Sequence, residues 1–152
     1  MTLTTLHSPG MRVILAALVA ICLAAGTRGE TRVTLRLTAS STPASNDEVV
    51  TLPVSQTQFD QGETFYVELW ASTIEDNGFA SVYVDVAMNG AAVLIDGIAS
   101  TDLFDLFASG TASNDRIDEL GGSHLGPANC EDPVGVEPNW ARIAVVEMHA
   151  EI

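Results

Sequence analysis

Apolar and polar residues alternate along much of this chain with a period of two. Val33, Leu35 and Leu37 are separated by Thr34 and Arg36, with Thr38 following. Phe65, Val67, Leu69 and Ala71 alternate with Tyr66, Glu68, Trp70 and Ser72. Ala80, Val82, Val84, Val86 and Met88 alternate with Ser81, Tyr83, Asp85 and Ala87. Near the end, Ala144, Val146, Met148 and Ala150 alternate with Ile143, Val145, Glu147 and His149. This spacing predicts strands with one face in a core and one face turned away from it. Val49 to Val54 reads as a weaker strand, pushed to an edge or a bend by Pro53. Ala92 to Ile98 reads as a more continuously apolar one.

Turn residues punctuate these runs. Asn89-Gly90 lies between two strand patterns and predicts a hairpin, because both residues tolerate positive φ. Asn77-Gly78 precedes the longest pattern, and Gln61-Gly62 marks a turn before Thr64. Leu103 to Phe107 is apolar without alternation and predicts one helical turn capping a sheet. Asn114 to Pro138 is rich in Gly, Pro, Asn and Asp and predicts a long loop, strand-like only over Arg116 to Leu120. About seven short strands with no helix-period segment after residue 29 make the expected fold an all-β sandwich.

The first 29 residues are different. Val13 to Ala25 is uncharged and apolar, follows Arg12 and ends in small residues, which is the pattern of a secretory signal peptide. It is short for a membrane span, which needs roughly 20 apolar residues. The expected organisation is therefore a signal-peptide helix within 1–29 and one domain over 30–152. Cleavage is expected after Gly26 or Gly29, placing the product outside the cell or on its surface. Cys22 follows the bulky Ile21, where a lipoprotein signal requires a small residue.

Charge sharpens the picture. The 152 residues carry 6 Lys plus Arg against 20 Asp plus Glu, for a net charge of -14. All six cations are Arg, and two of them, Arg12 and Arg28, precede residue 30. The remainder sets four Arg against all 20 acids. Such a surface offers nothing to neutralise nucleic-acid phosphates or to dock on an anionic membrane. The 47% hydrophobic content is enough for a folded core.

A family resemblance rests on four stretches. They are Gln61-Gly62-Glu63-Thr64-Phe65-Tyr66-Val67-Glu68-Leu69, Phe79 to Val86, Arg116-Ile117-Asp118-Glu119-Leu120-Gly121-Gly122, and Trp140 to Ala150. Their order resembles a cohesin-like domain of secreted bacterial proteins, over roughly Val33 to Ile152. The resemblance implies a jelly-roll β-sandwich, related in fold to carbohydrate-binding modules. It also implies closing strands after the last run. This chain stops at Ile152 within a strand pattern, so a sandwich incomplete at its C-terminus is expected. Cohesins bind calcium-loaded dockerin modules through one sheet face, in assemblies that degrade polysaccharides. The function implied is a non-catalytic adhesion or scaffold module with a protein partner. A carbohydrate-binding module on the same fold is the alternative.

Candidate chemistry is sparse. Asp115, Asp118 and Glu119 place three carboxylates on the expected loop, a start toward calcium, which takes about six to eight oxygens. The calcium-loop spacing of helix-loop-helix sites is absent, and a solvated acidic loop is the plainer reading. Tyr66, Trp70 and Tyr83 lie on the polar-alternating side with Glu68 and Asp85. Exposed there, they would stack on a sugar or anchor a partner protein. A sheet's outer face can also hold aromatics beneath loops. His149 lies between Glu147 and Glu151, but groups along one strand diverge instead of converging on a metal. Ser123-His124 lies in a Gly-rich stretch without a nucleophile elbow. Cys130 is followed by Glu131 and Asp132, which oppose a thiolate, so an inert thiol is expected. No constellation points to an enzyme, and no cofactor is implied.

Overall fold

The structure is a computed structural model that describes residues 17–19, 33–73, 79–88, 93–113, 116–128 and 140–151. Nine strands run in chain order among them: β1 (Ala17–Val19), β2 (Val33–Ser40), β3 (Glu48–Val49), β4 (Thr64–Thr73), β5 (Phe79–Met88), β6 (Val93–Ser100), β7 (Leu106–Ala112), β8 (Arg116–Ala128) and β9 (Trp140–Ala150). No helix occurs among the described residues. The fold is an all-β sandwich. Sheet A has the order β1-β5-β8-β7, and sheet B has β2-β4-β9 with β3 and β6 both against β9. β6 pairs with Ala144–Ala150 of β9, and β3 with Trp140 and Ala141, so the two lie end to end along one side of that strand.

Period two built most of these strands as the sequence predicts. On β5, Val82, Val84, Val86 and Met88 are buried while Ser81, Tyr83, Asp85 and Ala87 are exposed. On β4, Phe65, Val67, Leu69 and Ala71 are buried in the same way, but Glu68, Trp70 and Ser72 on the alternate face are buried too. The inward-facing apolar residues of both strands, with Ile117, Leu120, Val146 and Met148, form one core between the sheets. Phe79 and Phe104 stack at 5.5 Å, and Phe59 stacks on Phe65 at 4.2 Å.

Several expectations are corrected. Asn89-Gly90 does not close a hairpin, since β5 belongs to sheet A and β6 to sheet B. The four residues between them lie outside the described set, as does Asn77-Gly78. A turn dipeptide permits a reversal but does not decide whether the next strand pairs or crosses about 10 Å to the opposite sheet. Leu103 to Phe107 forms no helical turn. Bends over Asp102–Phe104 lead directly into β7, and Phe104 is wholly buried. Of the weak run Val49 to Val54, only Val49 pairs as strand, together with the preceding Glu48, and Val50 onward is irregular. The presumed long loop is instead largely β8, 13 residues long.

That last misreading has a specific cause. Glycines ordinarily argue against a strand, but Gly121 and Gly122 are required here by close approach. A Cβ on Gly121 would lie 1.9 Å from the Val82 carbonyl oxygen, and one on Gly122 would lie 2.3 Å from the Phe104 carbonyl oxygen. Gln61-Gly62 does form its turn, with Gly62 at φ 77. Of the leader, only Ala17–Val19 is described. These three residues are a strand, antiparallel to Val86–Met88 of β5, and the rest of the expected signal helix lies outside the described residues. An apolar run placed beside an open sheet edge gains hydrogen bonds there that an isolated short helix in water does not.

Candidate binding surface

The two outer faces of the sandwich carry different chemistry, and the predicted aromatics divide between them. Tyr66 and Trp70 are on β4 in sheet B, whereas Tyr83 is on β5 in sheet A. They therefore cannot form one surface. Trp70 is 0% exposed and Tyr66 is half-buried, and the chain between β2 and β3 crosses the outer face of sheet B, where Ala44 and Asp47 bond to Arg142. Alternation identifies the face of a strand that turns from the core. It is silent on which sheet holds the strand and on what covers it.

Beneath that covering segment lies a buried ionic cluster. The Arg142 guanidinium donates to Glu68, to the Ala44 carbonyl oxygen at 2.7 Å and to Asp47 Oδ1 at 2.5 and 2.9 Å. The Ala44 N–H donates to Glu68 Oε1 at 2.9 Å, and the Asp102 N–H to Asp47 Oδ2 at 3.0 Å. Trp70 Nε1 donates to Thr38 Oγ1 at 3.0 Å, and Thr38 Oγ1 to Glu68 Oε2 at 3.4 Å. The Arg142 guanidinium also sits 5.7 Å from the Trp70 ring centroid. The bonds of Arg142, Glu68 and Asp47 fasten the covering segment to the sheet, and those of Trp70 and Thr38 join β4 to β2, which is a structural task.

A bulge makes the cluster possible. Leu69 pairs with Ala144, but Trp70 pairs with Arg142, so Ile143 is extra on β9. In strict alternation Arg142 shares a side with Ala144, in the core. The extra residue turns it to the other face, alongside Trp70 and Glu68.

The outer face of sheet A is open. Tyr83 on β5 is 43% exposed, and its hydroxyl reaches across β8 to donate to the Phe107 carbonyl oxygen on β7 at 3.0 Å. The same hydroxyl lies 3.1 Å from Ser123 Oγ, which lies 2.8 Å from Ser81 Oγ. Gly121 stands opposite Tyr83 in the β5–β8 register and leaves the ring's path clear of a side chain. Phe107 is 83% exposed at φ 51, a left-handed conformation that bulky residues rarely adopt. Two residues beyond Ser123, Leu125 is also highly exposed. The result is a hydroxyl row of Tyr83, Ser123 and Ser81 accompanied by two large exposed apolar side chains, Phe107 and Leu125. Phe107 and Leu125 carry no sequence signal of exposure, since both resemble ordinary core residues.

Among the described residues, the candidate acidic residues Asp118 and Glu119 engage different partners. Asp115 lies outside the described residues. Asp118 pairs with Arg116 on the surface, and Glu119, at φ 55, donates its N–H to Asp85 Oδ1 at 3.0 Å. Among the described residues no three His, Cys, Asp or Glu gather as a metal-binding group. His149 Nδ1 is 2.6 Å from Asp96 Oδ2 on β6, so its partner lies across the strands and not along its own. The His124 ring lies against Phe104 at 6.0 Å. Cys130 falls outside the described residues, as does Cys22. A cleft of about 210 Å³ opens between β6 and β7, lined by residues such as Ile98, Ser100, Ser109 and Gly110, with no titratable side chain.

No family model matches the chain, and no curated protein or solved structure matches it.

Proposed function

We propose that the chain is a non-catalytic, cohesin-like module of a secreted or cell-surface protein, and that it binds a protein partner through the outer face of sheet A. The observation that carries this reading is Phe107. A largely exposed phenylalanine on left-handed backbone, its carbonyl clamped by the Tyr83 hydroxyl, holds strain that packing does not reward. Strain of that kind, next to exposed apolar groups and orientable hydroxyls, suits a recognition surface. With Trp70 buried and Tyr66 on the other sheet, no row of coplanar aromatics is left to line up sugar rings. A mixed apolar and hydroxyl face suits a protein. The excess of acids favours a partner that is neutral or basic.

A photoreactive phenylalanine analogue at position 107 tests this in the native secretion. The expected result is one protein adduct, lost when Tyr83→Ala and Ser123→Trp disrupt the face in a folded chain. Retention on insoluble polysaccharide that depends on Phe107, without a protein adduct, would establish the carbohydrate-binding alternative instead.

A further inference from the structure

The outer edge of β5 is built to accept a strand. The structure places Ala17↔Met88, Leu18↔Ala87 and Val19↔Val86 in antiparallel register, so a segment of the expected leader occupies part of that edge. Among the described residues β1 reaches no further along it than Val86. The other edges are guarded in the ways edge strands usually are. β2 carries the exposed Arg36. β6 carries Asp96 beside an irregularity at Ile95/Gly97, and β3 is two residues long. β7 contains Gly110 and, like β5, shifts register twice against β8. β5 has ten residues with no Gly, Pro or Lys, and its only charge is Asp85. That carboxylate already accepts the Glu119 N–H.

We infer that removal of the leader opens this edge to a second copy of the chain, which pairs through its own β5. The strand is complementary to itself. A two-fold pairing centred on Val84 sets Val82 opposite Val86 and Tyr83 opposite Asp85. Buried Val82 and Val86 then face each other, exposed Ser81 and Ala87 do the same, no carboxylate opposes another, and only exposed Ala80 meets buried Met88. The two sheets A become one continuous sheet, with their outer faces side by side. While the leader is attached, β1 competes for the same hydrogen-bonding groups and holds the chain as a monomer. The inference draws on the export reading for the event that removes the leader, but the edge can be tested without export.

A protease site placed after Gly29 allows the full chain to be folded and then cut. Sedimentation equilibrium and amide hydrogen exchange are measured before and after, at low and moderate salt. The expected result is a monomer before cleavage and twice that mass after it. The Ser81–Met88 amides should be protected in the dimer, and association should tighten as salt screens the acidic copies. A peptide spanning Val13–Ala25 with a solubilising tail should return the cut chain to monomer. Ala87→Asp, on an exposed position of the edge, should raise the concentration needed for dimerisation by about tenfold or more, with thermal unfolding unchanged. The inference is overturned by a monomer after cleavage, or by a dimer insensitive to Ala87→Asp and to the peptide. It is equally overturned by loss of cooperative unfolding on cleavage, which would make β1 an integral strand. None of these outcomes depends on Phe107, so the proposed partner face stands or falls separately.

Discussion

At the scale of single residues, Arg142 is the side chain on which most depends. It is the cation facing both Glu68, which is 0% exposed, and Asp47. Replacing it with Met leaves Glu68 buried without its charge partner. A buried pair broken from one side typically costs about 3–5 kcal/mol, and urea unfolding of Arg142→Met should show a loss of that order. The half-exposed pair Arg116–Asp118 provides the contrast. Arg116→Ala should change stability by less than about 1 kcal/mol. Gly121→Ala should be far worse than its size suggests, because the atom met by the new methyl is backbone and cannot rotate aside. A loss of about 1–3 kcal/mol or more is expected, read from the same unfolding curves. Little of this was legible in the sequence. Glu68 and Trp70 were correctly placed away from the core, yet a polar residue on a polar-alternating face does not show that the chain between β2 and β3 will cover it. Tyr83 was placed on an exposed face, while Phe107 and Leu125 look like core residues because exposure of an apolar side chain has no local pattern.

At the scale of elements, alternation located β2, β4, β5 and β9, and a continuous apolar run located β6, each to within a few residues. These patterns did so because each strand buries one face against the same core. They failed where pairing is decided by distant chain. The pattern shows β8 as strand only over Arg116 to Leu120, since Gly121 and Gly122 weaken it beyond that point, and only the Val82 and Phe104 carbonyls explain why glycine stands there. Asn89-Gly90 was read as a hairpin because a turn dipeptide carries no information about sheet membership. The β9 bulge was invisible for the same reason: Ile143 is apolar, as either neighbouring phase would allow. Its importance can be tested by removal. A chain lacking Ile143 would pair in phase throughout β9, with Ala144 still opposite Leu69 and Arg142 still opposite Trp70, so the cluster should survive while the core loses the Ile143 side chain. Cooperative thermal unfolding and the near-ultraviolet circular dichroism of Trp70 should both be kept, at a lower melting temperature. The milder change Asp47→Ala should keep the sandwich but loosen the chain between β2 and β3, which proteolysis or hydrogen exchange would reveal as earlier opening there.

At the scale of the whole molecule, charge sets solution behaviour. Four Arg against 20 acids beyond residue 29 make copies repel one another at neutral pH and low salt. Light scattering should rise as pH falls toward the sequence pI of about 4.2, and added salt should act in the same direction by screening. The way sheet B is strung along the chain has a consequence of another kind. β9 pairs with β4 on one side and with β3 and β6 on the other, and Arg142 bonds to Asp47 from 95 residues away. During synthesis, then, sheet B has no centre until residue 150 has left the ribosome. Loop closure over such separations makes folding slow, on the order of milliseconds to seconds for sandwiches of this type. A nascent chain that cannot finish folding early stays threadable, which is the state in which an unfolded-chain translocon must receive its cargo.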